Sequence, residues 1–199
     1  MTYAIIGSGN VGRALASQFA RNGITIGMAN TRGPDSITSV AKEYDNKVHP
    51  LTVQEAVKAD VIILAVPFWA HRDVAQAAKT WQGKIVIDVT NAFGVPLSDL
   101  DNLPSSAVVA NALPGARVVK AFNHLPASVL AQEPASDGGR RVIFVSSDHE
   151  DASTTVAALV DKLGFAPVSL GKIAQGGQLV QARDKRWAPL IFQDLFKRD

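Results

Sequence analysis

The sequence predicts an α/β protein, a doubly wound and mostly parallel sheet with a C-terminal helical extension. Three observations lead there. Strand-like and helix-like segments alternate from the first residues to about residue 170. Val61 to Val66 is an unbroken apolar run, as expected of a central parallel strand covered on both faces. A glycine-rich turn, Gly7-Ser8-Gly9-Asn10-Val11-Gly12, joins the first strand to the first helix. Residues 1–170 make the sheet domain and 171–199 the extension, as parts of one globular unit.

The elements follow in order. Thr2 to Ile6 is a β-rich run, and the helix after the glycines places Val11, Leu15 and Phe19 on one side. Asn22-Gly23 stops that helix, and Ile24 to Met28 is the second strand. Ser36 to Tyr44 reads as a helix and Val48 as a short strand. Thr52 caps a helix from Val53 to Lys58, with Glu55 completing a capping box. After the apolar run ends at Pro67, a helix covers His71 to Thr80, and Lys84 to Val89 is a strand. A loop with Thr90, Asn91 and Gly94 comes next, then strands at Ala116 to Phe122 and Arg141 to Ser146, with Pro134 to Gly139 as a surface loop between them. Asp151 to Leu163 is a helix closed by Gly164, Pro167 to Leu170 is a strand, and Gln178 to Phe196 is helical with a break at Pro189.

Composition narrows the function. The 199 residues are 47% hydrophobic and 19% charged, which suits a globular protein and not a disordered one. The net charge is +2 and the basic residues are scattered, so there is no nucleic-acid stripe. Without cysteine there is no disulfide, thiol catalysis or cysteine-held metal. The apolar runs are too short to cross a bilayer, and the chain enters a strand too early for a signal peptide. These features predict a soluble, cytoplasmic protein.

The glycine turn fits G-x-G-x-x-G. An ordinary strand-to-helix turn also collects glycine, but here a strand stands directly before the pattern and a helix directly after it. In a Rossmann dinucleotide-binding fold Gly7 makes the tight turn, Gly9 admits a pyrophosphate and Gly12 packs helix on sheet. Free N–H groups and the dipole at the helix start hold the anion. About 20 residues beyond Gly7, where a carboxylate would accept from the ribose 2′-OH of NAD, stand Met28, Ala29 and Asn30. Asn30, Thr31 and Arg32 offer hydrogen bonds and a fixed positive charge instead, which favour the 2′-phosphate of NADP(H).

Ligands of open α/β sheets lie beyond the C-terminal ends of the strands. Three strands end there in suggestive residues: Pro67-Phe68-Trp69, Thr90-Asn91 and Asn123-His124. Asn91 suits a carboxamide or ribose, Phe68 and Trp69 a flat ring, and His124 is the histidine placed nearest substrate. His49 and His149 read as surface residues. No metal-ligand spacing, nucleophile motif or Walker A sequence is present, and no Ser-Tyr-Lys or Lys-Asp set stands out. Hydride transfer between flat rings requires alignment more than acid and base, so NADPH-linked redox chemistry fits. A non-catalytic NADPH-binding redox sensor fits the same features.

With these residues in hand, the chain resembles the coenzyme F420-dependent NADP oxidoreductase family, and the reductase domains of the six-transmembrane metalloreductases look similar. The resemblance rests on "AIIGSGNVGRALA", "IGMANTRGP", "VIILAVPFWA", "IVIDVTNAF", "VVKAFNHLPA", "VIFVSSDHEDA" and "LGFAPVSLG". It implies that Asn30, Thr31 and Arg32 hold the 2′-phosphate, that Ala65, Val66 and Pro67 border the nicotinamide ribose, and that Asn91 and Ala121 to Asn123 line the hydride-transfer face. It also implies a homodimer through the C-terminal segment, where Leu190, Ile191, Phe192, Leu195 and Phe196 are apolar. Family members that use the deazaflavin have His where this chain has Asn123, and the segment Lys172 to Leu179 also departs from the family's pattern. Both differences fall on the acceptor side. The small-molecule electron acceptor is therefore left open among the deazaflavin, FMN or riboflavin, a metal chelate and a quinone-like compound.

Overall fold

The computed structural model describes residues 1–136 and 138–181. Its first half builds strands and helices in alternation: β1 (Tyr3–Ile6), α1 (Asn10–Arg21), β2 (Ile26–Ala29), α2 (Thr38–Glu43), β3 (Val48–Leu51), α3 (Val53–Ala56), β4 (Val61–Leu64), α4 (His71–Gln76) and β5 (Ile85–Asp88). The second half adds α5 (Ser105–Ala112), β6 (Arg117–Lys120), α6 (Ala127–Leu130), β7 (Ala135–Ser136), β8 (Gly139–Arg140), β9 (Val142–Ser147), α7 (Glu150–Lys162) and β10 (Ala166–Ser169).

Eight strands form one sheet in the order β10-β9-β6-β5-β4-β1-β2-β3. From β3 to β6 every neighbour is parallel. The chain crosses over on either side of β1, so the crevice between the ends of β1 and β4 is a topological switch point. β9 runs antiparallel to β6, with Val119 opposite Ser147 and Lys120 opposite Ser146, and β10 lies parallel beside β9.

Both faces are buried, as the apolar runs require. Ile5, Ile63, Ile87 and Val119 meet Leu15 and Phe19 of α1 and Val156 and Val160 of α7. Ala4, Ile62, Val86 and Val118 meet Ala56 of α3, Val74 of α4 and Val109 of α5. The Thr52–Glu55 capping box forms in both directions. Gly23 takes a φ of +68° after α1, as a C-terminal glycine should.

Some elements differ from the sequence expectation. Helix α5 carries little sequence signal, because Ser-Ser-Ala-Val-Val-Ala-Asn-Ala has no apolar stripe, and α6 is only four residues long. Each follows a proline, Pro104 or Pro126, at its N-cap. The Pro134 to Gly139 loop carries a two-stranded ladder, Ala135 pairing with Arg140 and Ser136 with Gly139. At the C-terminus, Gly176–Val180 is a 3-10 turn, and residues 182–196 of the expected helix lie outside the described residues. Among the described residues no helix is long and apolar enough to cross a membrane.

Candidate functional site

The turn after β1 is held by two glycines that have no room for a side chain. Gly7 has a φ of +119°, and a Cβ there would stand 2.0 Å from the Ala65 carbonyl oxygen. A Cβ on Gly12 would stand 2.0 Å from the Gly7 carbonyl oxygen. The Gly7 N–H donates to the Ala29 carbonyl at 2.8 Å, tying the turn to β2. Gly9 is different: nothing lies within 4 Å of its Cβ position. It is the N-cap of α1, whose first turn has no acidic residue and no side-chain cap. An uncapped helix start beside open space is where a phosphate can approach.

Beside this turn lies a cavity of about 800 Å³ over the ends of β1, β2, β3 and β4. Gly7, Ser8, Gly9, Asn30, Thr31, Ala65, Val66 and Pro67 all line it. Asn30 acts as the local scaffold. Its Nδ2 donates to Ser8 Oγ at 2.7 Å and to Ser36 Oγ at 2.9 Å. Its Oδ1 accepts the Arg32 N–H at 2.8 Å, an Asx-type turn that sets the direction of the following residues. The exposed Arg32 guanidinium then comes within 3.4 Å of Ser8 Oγ. Among the described residues no carboxylate pairs with it. A cation with no carboxylate beside it, next to a glycine turn, can take a phosphate.

A second cavity of about 250 Å³ lies over the ends of β5 and β6. Val11, Asn91, Phe93, Phe122, Asn123 and His124 are among its lining. Asn91 and Asn123 interlock across the two strand ends. Asn91 Nδ2 donates to the Asn123 carbonyl at 2.8 Å, and Asn123 Nδ2 donates to Asn91 Oδ1 at 3.1 Å. Asn123 Nδ2 also donates to the Val180 carbonyl at 2.8 Å, which pulls the C-terminal segment over this end of the sheet. Among the described residues the Oδ1 of Asn123 is a buried acceptor with no hydrogen-bond partner. Just before it, Phe122 is buried with a φ of +60°, a strained conformation for a bulky residue.

His124 is buried against Phe144, and its Nε2–H donates to the Val142 carbonyl at 3.1 Å. Burial pushes its pKa down to about 4, against the pull of that carbonyl. The ring is therefore neutral near pH 7. The remaining expected residues scatter. Asn10 is exposed in the first turn of α1, and Ala121 is buried in the core and lines neither cavity. Phe68 is buried against Trp69 and His71, whereas Trp69 is 40% exposed with the Arg72 guanidinium over its ring.

The structure adds a pair that no spacing in the sequence announces. Asp88 and Lys120 are opposite in the register of β5 and β6 and form a buried ion pair at 3.1 Å. Ser106 Oγ donates to Asp88 Oδ2 at 2.6 Å, while the Thr90 N–H and hydroxyl donate to Oδ1 at 2.9 and 2.7 Å. Burial raises the Asp88 carboxyl, but Lys120 and these hydrogen bonds outweigh it and hold it below the usual range. The available signal is a charge at the end of each of two otherwise largely apolar strands.

Comparison with known proteins gives the chain relatives. Residues 2–92 match the model of the family described as NADP oxidoreductase, coenzyme F420-dependent. A hypothetical protein from Sinorhizobium meliloti is 43% identical, covers all of this chain over 96% of its own, and superposes with a TM-score of 0.90. The structure of a putative F420-dependent NADP-reductase from Arthrobacter sp. FB24 is 26% identical over 90% of both chains, with a TM-score of 0.75. Metalloreductase STEAP3 of Rattus norvegicus is 28% identical over 88% of this chain, which spans only 35% of that protein's length. Over residues 2–92 the chain is thus similar to the coenzyme F420-dependent NADP oxidoreductase family, a family of NADP-linked oxidoreductases.

Proposed function

We propose that the protein is an NADPH-dependent oxidoreductase that moves a hydride between NADP(H) and a flavin-like or deazaflavin acceptor. The observation that carries the proposal is the turn Asn30-Thr31-Arg32. It has no carboxylate, it is locked to Ser8 of the glycine turn, and it presents there a guanidinium that no carboxylate among the described residues pairs. The residues fit the dinucleotide: Gly9 leaves open space at an uncapped helix start, which a pyrophosphate would fill. Thr31 and Arg32 would hold the 2′-phosphate, and Ala65, Val66 and Pro67 would border the nicotinamide ribose.

NADPH, when bound, supplies the hydride. The smaller cavity supplies alignment. Its walls are largely apolar, while the Asn91 and Asn123 carboxamides give orientation. The single titratable side chain in its lining, His124, is neutral and hydrogen-bonded to backbone, which suits a step that moves no proton through it. We also propose a cytoplasmic place of work and a homodimer through the apolar residues Leu190 to Phe196. Light scattering at micromolar concentration should give twice the chain mass.

The deciding experiment is an NADPH-oxidation screen over deazaflavin, FMN, FAD, riboflavin, quinones and ferric chelates. Chelates belong there because the curated relatives are metalloreductases. Oxidation with a flat-ring acceptor is expected, with a deuterium effect on single turnover when the transferred position is labelled. Tight NADPH binding with no turnover on any acceptor would replace this reading with that of a redox sensor.

A further inference from the structure

We propose that Asp88 and Lys120 are positioning residues for hydride transfer, because the pair grips Thr90 at both its N–H and its carbonyl and so fixes Asn91 in the wall of the smaller cavity. The inference rests on reading that cavity as the nicotinamide and acceptor end. The grip is explicit in the contacts. Asp88 Oδ1 accepts the Thr90 N–H at 2.9 Å and its hydroxyl at 2.7 Å, and Lys120 Nζ donates to the Thr90 carbonyl. Asn91 follows directly and interlocks with Asn123, whose place is set by the left-handed Phe122. Ser106 ties the same carboxylate to α5.

Neither charge can touch a ligand, since the side chains are 0% and 1% exposed. Stability alone explains the pair poorly. A buried ion pair is commonly no better than an apolar pair of the same volume, and the surrounding face of the sheet is apolar. Apolar side chains, however, cannot bind the two backbone groups of Thr90. What the charges add is a fixed direction for the turn, and alignment of reacting groups is where a small displacement costs most.

The test uses the full chain and the double variant Asp88→Asn/Lys120→Met, which leaves no unpaired buried charge. Three readouts are compared with the unaltered protein: calorimetric binding of 2′,5′-ADP, the emission of bound NADPH, and the single-turnover hydride step. We expect 2′,5′-ADP binding to hold, the emission to lose its bound-state character, and the hydride step to slow about 10- to 100-fold. If that variant does not fold, Thr90→Val keeps both charges and removes one of the bonds, and should slow the step roughly two- to fivefold with 2′,5′-ADP binding intact. A folded variant with unchanged emission and rate overturns the proposal. So does one that loses 2′,5′-ADP binding in proportion, since the damage would then be general. If no acceptor is found, the emission decides alone. An unaltered protein that binds neither NADPH nor 2′,5′-ADP overturns the cofactor reading, and the positioning role with it.

Discussion

The two cavities at the C-terminal edge of the sheet are built on different plans. The larger lies over β1 to β4, takes residues from α4, and is formed mainly by the backbone of turns, Gly7 and Gly9 among them, with Asn30 joining two turns through Ser8 and Ser36. The smaller lies over β5 and β6, takes Val11 from α1, and is formed by side chains that meet only in the fold: Asn91 with Asn123, and Asn123 with Val180. The larger is suited to recognition, with an exposed charge that can be won or lost at little structural cost. The smaller is suited to geometry, and its parts cannot be altered without disturbing the packing that holds them.

The largest effect expected from breaking either plan is at the glycine turn between them. Gly7→Ala forces a Cβ to 2.0 Å from the Ala65 carbonyl oxygen at a φ of +119°. It should destabilise the protein by roughly 3–5 kcal/mol in urea unfolding. Gly9→Ala meets open space, so it should cost less than about 1 kcal/mol of stability while weakening NADPH binding at least about tenfold. Equal behaviour of the two variants would mean that the turn serves packing alone.

Next in size is the acid limb of stability set by His124 in the smaller cavity. Its folded pKa of about 4 lies below the ordinary 6.5, so between these values the unfolded chain binds the extra proton. This contribution is fully present above pH 6.5 and is lost as the pH falls toward 4, to a total of about 3 kcal/mol. Urea unfolding across this range should show the slope, and His124→Leu should flatten it.

A smaller effect is expected in the larger cavity. Arg32→Ala should lower NADPH affinity about 10- to 100-fold, the value of a charge-assisted phosphate contact of roughly 1.5–3 kcal/mol, and leave NADH affinity and thermal stability unchanged. Equal loss for both cofactors would separate Arg32 from the 2′-phosphate. Smallest of all, Asn123→Ala should slow hydride transfer about three- to tenfold without touching 2′,5′-ADP binding, confining its effect to the smaller cavity.

The same contrast explains what could be read from the sequence. The glycine turn, the missing carboxylate after β2, the Thr52–Glu55 capping box and the parallel strands are local signals, each complete within a few residues. The clamp at β5 and β6 is not local: Asp88 and Lys120 are brought together by register alone, and Asn123 meets Val180 through the fold of the C-terminal segment. Phe122 takes a left-handed conformation with no glycine to announce it. The direction of β9 was equally silent, because Val-Ile-Phe-Val-Ser-Ser reads the same whether a strand runs with its neighbour or against it.

That reversed strand bears on how the molecule opens. Between β3 and β6 each pair of neighbours is matched over three or four residues, whereas β6 and β9 are matched at only two positions. The sheet therefore has a seam. The block of β9, α7 and β10 is well joined within itself, with β10 matched to β9 over four residues. Local opening follows the weakest boundary, so the amides of this block should exchange with solvent as one cooperative unit, ahead of the amides of β1, β4 and β5. Each such event would part Val142 from His124 and so remove the hydrogen bond that holds the ring in the wall of the smaller cavity.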